Sequence, residues 1–509
     1  MAKLVAIGDS MTQGFQSGAI LKTHLSYPAM IARALGAPWS EQDYPTFGDE
    51  SVGGLPLNLE LLIRELQEAC GPRLDPLVLP RAVWAALQFV DRCEDYWERG
   101  AGSGASGTGP LHRNLAVWGF MVGDADLISE AVCSHFIGRV HKDDLGPPDW
   151  PIYRTARRVL NPRFEDAHVP VAELTPNSPR LRAQVDVAAE IARLSGGIEN
   201  LIFYLGANNC LWTTVEMDIR HSEREDVSRF GHQVAATLWF PEHFAQVYER
   251  VARRVSRIGA ERVFVGTVPH VTIAPVTRGV NVSTPDDGPI VEGPDGKGGS
   301  RWYYEYYTRF WVWDEDFRAD PDRYTHLTAA DAMHIDGTVD RYNEAIRRIA
   351  EQYGWHVVDI CGVLDGLAFR RRRGDVGYEL PTGLLQAIAA DPTLSDRLRT
   401  TPDKPYPVDT RFLRLAEGRR ICKGGLIGLD GIHPTTIGYG IMAHEFLKVM
   451  SEAGTHDPAS SPGLDWRSIL DQDTLLMDPP LLLNDLQNLL GFLNSLRLVQ
   501  WLLKAMSAR

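Results

Sequence analysis

Short apolar runs that end at a glycine or another turn residue recur along the chain and predict buried strands. The first run is Leu4–Ile7, which stops at Gly8. Four later runs share this character: Leu115–Val117, Leu201–Leu205, Arg262–Thr267 and His356–Ile360. Apolar runs of this length are typical of strands in a parallel sheet whose two faces are both covered.

Helical patterns lie between several of these runs. Ser26 is an expected N-cap, Pro28 is tolerated in the first turn, and the helix should end at Leu35 before Gly36. Three more helices are predicted at Glu242–Ile258, Asp336–Tyr353 and Pro434–Met450. Strands that alternate with helices predict an α/β fold with a parallel sheet, in which functional residues gather at the carboxyl ends of the strands.

The spacing between the predicted strands is irregular and indicates one domain with large insertions. We predict this domain over residues 1–455 and a C-terminal helical extension over residues 456–509. The core pieces are expected at about 1–36, 112–135, 197–267, 335–364 and 426–452. The insertions are 37–111, 136–196, 268–334 and 365–425, and we expect them to form a cap around the site.

Two stretches stand out by their side chains, and each has two interpretations. Nine of the 16 residues in Trp302–Phe317 are aromatic. They are expected to form the core of an insertion or, alternatively, a wall or lid for an apolar or sugar-like substrate. Leucines recur at a four-three spacing from Leu482 to Leu503, which is a helical stripe. That stripe is expected to dock on the body, with a dimer seam or a membrane-surface contact as alternatives.

The amino-acid composition and the net charge restrict the classes of molecule that the protein is expected to bind. The chain has 509 residues, of which 44% are apolar and 23% are charged, so it is an ordinary globular protein. Its net charge of −14 argues against a nucleic-acid partner. The densest basic run, Arg370–Arg373, precedes Gly374 and Asp375 and is interpreted as a solvated loop rather than a phosphate site.

The cysteines and the N-terminal segment indicate in which cellular compartment the protein is expected. The six cysteines are scattered, with no CxxC pair and no metal-like spacing, which favours reduced thiols and leaves disulfides open. The apolar run after Lys3 is too short for a secretory signal, and no window suits a membrane span. We therefore expect a cytoplasmic protein.

The first segment that could carry chemistry follows the first predicted strand and reads Gly-Asp-Ser-Met-Thr-Gln-Gly. It places Ser10 on a tight turn at the carboxyl end of that strand, with its own N–H near the site. A serine hydroxyl needs a base before it can act as a nucleophile. A bare Gly-Asp-Ser is common, so its position after a strand is what makes Ser10 a candidate.

A base is offered by the segment Leu429–Pro434. His433 could accept the proton of the serine, and Asp430, three residues earlier, could fold back onto the imidazole and hold its tautomer. The alternative is a turn in which Asp430 caps the next helix, expected to begin at Pro434, while His433 only packs.

Two further strand ends could supply hydrogen-bond donors for an oxyanion. Gly119 follows the second predicted strand, and its N–H can approach a substrate because no side chain intervenes. Asn208 follows the third predicted strand and carries a side-chain amide. Such donors are worth about 2.7–4 kcal/mol each when aimed at the developing charge, although both residues are equally typical of turns.

Taken together, these four segments resemble those of the SGNH, or GDSL, hydrolase family, whose short sequence blocks occur in the same order. Ser10 matches the nucleophile of that family and Gly119 the glycine of its second block. Asn208 matches the asparagine of the third block, and Asp430 with His433 matches the final Asp-x-x-His. The resemblance covers about 200 residues in pieces and does not extend to the insertions.

The resemblance implies a flavodoxin-like three-layer α/β/α fold and a serine esterase or lipase. It implies a triad of Ser10, Asp430 and His433 and an oxyanion hole formed by Ser10 N–H, Gly119 N–H and the Asn208 amide. Asp9 belongs to the family signature. Asn209 stands where the family usually has an aspartate, which puts the local support of Asn208 in question.

These observations predict hydrolysis of a carboxylic ester through an acyl-enzyme, without metal or organic cofactor. The expected substrate is a small-molecule, lipid or carbohydrate ester, and a homo-oligomer is left open. The alternatives are an inactive binding scaffold with the same fold, an acyltransferase, and a membrane-surface lipase anchored by the C-terminal helix.

Overall fold

The structure of the protein is a computed structural model. It describes residues 1–40, 43–47, 57–74, 77–98, 111–137, 151–160, 169–284, 288–296, 298–368, 377–399, 406–415, 421–455 and 463–485. The predicted basic loop at Arg370–Arg373 and the leucine stripe beyond Asp485 lie outside these residues.

A central parallel sheet organises the molecule. The strands are β1 (Ala2–Gly8), β2 (Phe15–Gln16), β3 (Ala19–Ile20), β4 (Ile198–Tyr204), β5 (Arg262–Gly266), β6 (Thr277–Val280), β7 (Val291–Pro294), β8 (Ser300–Tyr303), β9 (Tyr306–Arg309), β10 (His326–Thr328), β11 (His356–Val358), β12 (Arg414–Leu415) and β13 (Ile421–Lys423). The central sheet has the order β1-β4-β5-β11, and its strands pair in parallel. Nearly every residue of β1 and β4 is buried, as apolar strands covered on both faces require.

The predicted strand Leu115–Val117 is an extended segment with a single bridge rather than a full strand. Asn114 bridges Ala6 in parallel, and three backbone hydrogen bonds tie residues 113–117 to β1. Counting this segment as the second of five, the order along the sheet is 2-1-3-4-5, which is the order of flavodoxin-like folds. The switch point of such a sheet lies between its first and third strands, here β1 and β4.

Helices surround this sheet. They are α1 (Ser10–Gln13), α2 (Tyr27–Ala34), α3 (Leu59–Cys70), α4 (Leu79–Glu98), α5 (Asp124–Leu127), α6 (Glu130–Ile137), α7 (Pro151–Leu160), α8 (Gln184–Ser195), α9 (Trp212–Glu216), α10 (Pro241–Val255), α11 (Asp314–Ala319), α12 (Ala329–Tyr353), α13 (Ile360–Leu367), α14 (Thr382–Ala390), α15 (Thr436–Glu452), α16 (Trp466–Asp471) and α17 (Thr474–Met477). α2 packs against α15, while α8 and α12 pack against α10. The predicted α/β fold class with its parallel sheet is confirmed.

Element ends differ from the predictions for identifiable reasons. α12 begins seven residues before the predicted Asp336, because Thr328 and Asp331 form a capping box there. α15 begins at Thr436, not at the predicted Pro434, because the Thr435 side chain is the N-cap. β11 ends two residues before Ile360, since Asp359 caps α13. Ser26 precedes α2 as predicted, but its side chain makes no capping hydrogen bond.

The predicted insertions contain small antiparallel sheets. β6, β9 and β10 form one sheet, β7 pairs with β8, and β12 pairs with β13. In the aromatic stretch Trp302–Phe317, five aromatic side chains are buried: Tyr303, Tyr304, Tyr307, Trp311 and Phe317. None of its aromatic residues lines either cavity described below, so this stretch forms a core, as the first of the two interpretations predicts.

The cysteines whose side chains are described are free thiols: Cys70, Cys93, Cys133, Cys210 and Cys361. Within the described ranges, no helix combines the length and the apolar character needed to cross a membrane. The Cys422 side chain lies outside the described part of the chain.

Candidate active site

Ser10 lies at the carboxyl end of β1, as the first residue of α1. A Cβ atom at Gly8 would lie 2.2 Å from Thr12 Oγ1, so only glycine permits this tight strand-to-helix turn. Asp9 is the N-cap, and its carboxylate accepts a hydrogen bond of 3.1 Å from Met11 N–H. The turn therefore presents the Ser10 side chain at the edge of the sheet.

Asp430 lies in a turn, and its carboxylate accepts three backbone N–H groups. Ile432 N–H and His433 N–H donate to Oδ1 at 2.8 and 2.9 Å. Gly18 N–H, from the hairpin after α1, donates to Oδ2 at 2.8 Å. Gly431 adopts a φ of 70°, which lets the chain reverse between Asp430 and His433.

The structure brings Ser10, His433 and Asp430 into one hydrogen-bonded chain. His433 Nε2 lies 2.8 Å from Ser10 Oγ, and His433 Nδ1 lies 3.0 Å from Asp430 Oδ2. All three side chains are buried, and the Phe15 ring packs against the imidazole with its centroid 4.5 Å away. Ser10 and His433 are 423 positions apart in sequence, so tertiary folding alone creates their contact.

The electrostatic environment of Asp430 favours the ionised form of its carboxyl group. Burial raises the pKa of this carboxyl, but the His433 ring and the hydrogen bonds from the backbone outweigh it and leave the pKa below its ordinary value. An ionised carboxylate accepts the hydrogen on His433 Nδ1. The Nε2 lone pair then faces Ser10, which is the tautomer that a general base needs.

Gly119 follows the segment 113–117, beside Ser10. Its φ is 76°, in the left-handed region that favours glycine, and a Cβ atom would lie 2.9 Å from Ile152 Cδ1. Both the backbone conformation and the space therefore exclude a side chain. Among the described residues, no acceptor contacts the Gly119 N–H.

Asn208 lies in a 3₁₀ turn immediately after β4. Its Nδ2 donates to Phe120 O at 2.9 Å, which uses one of the two amide hydrogens. The side chain is buried and contributes to the walls of both cavities that meet at Ser10. Asn208 and Gly119 thus reach the site from the two segments that flank β1 in the sheet.

Side-chain amides pin the segment that carries Gly119. Gln13 Oε1 accepts from Trp118 N–H at 2.9 Å, and Asn114 Nδ2 donates to Thr12 O at 3.0 Å. Asn209 Oδ1 accepts from Val122 N–H at 3.2 Å. Asn209 therefore ties the turn after β4 to the turn after Gly119.

Two residues that hold these segments in place, Gln13 and Gln184, were not selected from the sequence. Gln13 stands in the Ser10 segment, one helical turn after the serine, and that spacing is the signal that could have found it. Gln184 donates from Nε2 to Gly8 O at 3.0 Å and to Leu115 O at 2.6 Å. It begins α8, far from every recognisable motif, and no sequence signal marks it.

Asp9 is a second buried carboxyl beside the site. Burial raises its pKa to about 7, although the Met11 N–H and the His433 ring both lower it. Near neutral pH this carboxyl therefore exists in both protonation states, unlike Asp430.

Two cavities meet at Ser10 and His433. The larger has a volume of about 620 Å³ and lies over the ends of β4 and β5. Its apolar lining residues are Met11, Ala207, Leu211, Pro269, Val271, Ile273, Ala274, Pro275, Leu364, Ile427, Ile432 and Pro434. The smaller has a volume of about 390 Å³ and contains Gly119 with the aromatic side chains Phe15, Trp118 and Trp212. Neither wall carries an acidic side chain.

No protein-family model matches the chain, and no curated protein matches it. Among solved structures it is similar to an alpha/beta hydrolase enzyme from the metagenome of Lake Arreo, Spain, at 12% identity. That match covers 88% of this chain and 95% of the other, with a TM-score of 0.25. A similarity at this level supports no conclusion about function.

Proposed function

We propose that this chain is a serine hydrolase of the SGNH/GDSL type that cleaves carboxylic esters through an acyl-enzyme. The observation that carries the proposal is the chain of hydrogen bonds from Ser10 through His433 to Asp430, at the junction of two cavities. A nucleophile, a base and a group that orients the base are the parts that acyl transfer requires.

In the proposed mechanism Ser10 Oγ attacks the carbonyl carbon of the ester while His433 Nε2 takes its proton. The resulting imidazolium is stabilised by Asp430, which stays ionised. His433 then gives the proton to the leaving alcohol oxygen as the carbon–oxygen bond breaks. Water attacks the acyl-enzyme in the second half, with His433 again as base, and releases the acid and free Ser10.

We propose that three hydrogen-bond donors stabilise the negative charge that develops on the carbonyl oxygen. They are Ser10 N–H, which lies in the first turn of α1 and so has no intrahelical acceptor, Gly119 N–H, and the amide hydrogen of Asn208 not bonded to Phe120. Loss of one such donor typically costs about 10²–10³ in kcat.

Two observations support the family in particular. The four sequence blocks occur in the order of the SGNH family, and the sheet order matches the flavodoxin-like arrangement that the resemblance implies. Asn209 departs from the usual aspartate, yet its Oδ1 still accepts a backbone N–H. The departure therefore removes a charge and keeps the acceptor.

The test is hydrolysis of p-nitrophenyl esters, from acetyl to long acyl groups, by the full chain and by Ser10→Ala. We expect activity in the first and its loss in the second. Activity that survives Ser10→Ala would refute the mechanism. If neither protein is active, a fluorophosphonate probe decides, because an inactive scaffold should not be labelled at Ser10. Addition of an acceptor alcohol to the assay distinguishes acyl transfer from hydrolysis.

A further inference from the structure

A small hairpin between α1 and α2 contacts the turn that carries Asp430 and contributes no reacting group to the proposed mechanism. β2 and β3 pair directly, and Ser17 with Gly18 forms the two-residue loop between them. The φ angles of these two residues are 51° and 79°. Positive φ at both central residues is the requirement of a type I′ turn. Every residue of the hairpin is buried.

Serine is unusual at the first position of such a loop. Asn, Asp and Gly are the residues that this turn favours, because a positive φ is unfavourable for most side chains. In the described part of the chain, Met217 is the only other non-glycine residue with a positive φ. The backbone conformation therefore disfavours serine, and the contact made by its hydroxyl is the feature that favours it.

The Ser17 hydroxyl holds the residue that precedes Asp430. Its Oγ accepts a hydrogen bond of 3.1 Å from Leu429 N–H. A Cβ atom at Gly428 would lie 2.9 Å from the same Oγ, so the turn approaches the hairpin more closely than a side chain there would allow. One residue further along each segment, Gly18 N–H donates to Asp430 Oδ2 at 2.8 Å. Two neighbouring hydrogen bonds therefore join the hairpin to the turn.

The hairpin is also held by the insertion 37–111. Leu57 and Leu59, around the start of α3, donate their N–H groups to the two carbonyl oxygens of the loop, both at 3.0 Å. The first strand of the hairpin carries Phe15, whose ring packs against the His433 imidazole. The same braced hairpin therefore contacts both the proposed base and the carboxylate that orients it.

We propose that Ser17 is a positioning residue of the active site, whose hydroxyl holds the turn of Asp430 against the hairpin and keeps the carboxylate in line with His433 Nδ1. Without Oγ, the buried Leu429 N–H loses its acceptor, and the turn gains freedom to move away from the hairpin. The Asp430–His433 contact of 3.0 Å would then lengthen, and the ring would be held less well for proton transfer. The catalytic part of this role rests on the proposed function.

The first experiment compares hydrolysis of p-nitrophenyl acetate by the full chain, Ser17→Ala and Ser17→Gly. Both variants lack Oγ, but glycine suits the positive φ and alanine does not, so Ser17→Gly should have the higher melting temperature. We expect kcat to fall by about 10- to 100-fold in both, with KM little changed. The matched control is Ser26→Ala, which removes a buried hydroxyl that has no hydrogen-bond partner among the described residues, and it should keep kcat.

Proton NMR gives a second measurement, which needs no substrate. The proton between His433 Nδ1 and Asp430 should resonate at low field, and its absence from His433→Ala assigns it. We expect this resonance to shift or disappear in both Ser17 variants and to stay unchanged in Ser26→Ala. If the full chain cleaves no ester but the resonance responds in this way, the proposed function fails and the positioning role of Ser17 stands.

Several outcomes would overturn the proposal. If Ser17→Gly keeps the kcat of the unaltered chain, stability and not the hydroxyl determines activity. If KM rises while kcat stays constant, Ser17 acts on substrate binding. A low-field resonance that is missing from the unaltered chain, or that is the same in both Ser17 variants, would show that Ser17 does not hold Asp430 at His433. Equal losses of kcat in Ser26→Ala would show that any buried hydroxyl of this segment has the same effect.

Discussion

Asp430 is the residue on which most of the site geometry depends. Its carboxylate accepts three backbone N–H groups besides the His433 ring, from both the 430–433 turn and the hairpin after α1. It therefore holds the position of the His433 ring as well as its tautomer. Because hydrogen-bond donors surround this carboxylate, a side chain that itself donates a hydrogen bond would not fit in its place.

We expect Asp430→Asn to reduce kcat by about 10⁴, which is the size of the same loss in another serine-hydrolase triad. The amide would donate to His433 Nδ1, and Nε2 would then carry the hydrogen and could not accept the proton of Ser10. Steady-state kinetics with p-nitrophenyl acetate check this. Asp473→Asn, at another buried N-cap, is the control and should leave kcat unchanged. Equal losses in both variants would contradict a specific role for Asp430.

The Asp9 carboxyl makes stability depend on pH. Burial raises its pKa to about 7 in the folded chain, while its ordinary value is 3.8. Between these values the folded chain binds a proton that the unfolded chain has lost, so stability falls as pH rises through this window. The slope reaches at most about 1.4 kcal/mol per pH unit.

Asp9→Asn should remove this slope, because an amide keeps the acceptor for Met11 N–H and does not titrate. The measurement is the free energy of unfolding from denaturant titrations between pH 4 and pH 8. The free energy of unfolding of the variant, relative to that of the unaltered chain, should increase from about pH 4 to about pH 7 and stay constant above pH 7. The pKa of Asp124, which burial also raises to about 7, affects both proteins equally. Parallel curves would show that Asp9 does not titrate in this range.

At the scale of elements, the segment 113–122 is the least regular part of the sheet and carries Gly119. It forms a single β-bridge to β1, and hydrogen bonds from side-chain amides hold it in place of a regular β-ladder. Gln13 is the closest of these to the proposed oxyanion hole, since it binds the N–H of Trp118, the residue before Gly119.

Gln13→Met removes that acceptor while keeping a side chain of similar length. We expect kcat to fall by about 10²-fold with KM little changed, because a small displacement of Gly119 weakens a contact made in the transition state. Gln16→Met, in β2 of the hairpin after α1, is the control and should keep kcat. A rise in KM with constant kcat would place Gln13 in substrate binding instead.

At the scale of the molecule, the site lies where β1 and β4 part and where the insertions add walls. The two cavities differ in size and in lining, with aliphatic walls in the larger and aromatic walls in the smaller. On the proposed function, we expect an ester bound at Ser10 to extend one group into each cavity. The larger cavity has more room for an acyl chain.

We therefore expect Ala274→Trp, which fills part of the larger cavity, to lower kcat/KM for an octanoyl ester at least tenfold more than for an acetyl ester. Val215→Trp fills the smaller cavity and is the matched control, with no such dependence on chain length. The opposite pattern would place the acyl chain in the smaller cavity.

The local parts of this protein can be predicted from its amino-acid sequence. Apolar runs predicted the four strands of the central sheet to within a few residues, because burial on both faces leaves a continuous pattern. The segments around Ser10 and Asp430 could be selected because each is a turn of a few residues whose chemistry is local. Caps that depend on single side chains, such as Thr435 before α15, were placed two residues off.

The contacts that join these parts depend on how distant elements pack together. The contact between Ser10 and His433 spans almost the whole chain, and Gln184 reaches β1 from a helix with no motif. The contact between Ser17 and Leu429 likewise has no pattern that a search along the chain would select, because it joins residues 412 positions apart. Local patterns record which face of an element is buried, whereas contacts between elements depend on packing that no short segment encodes.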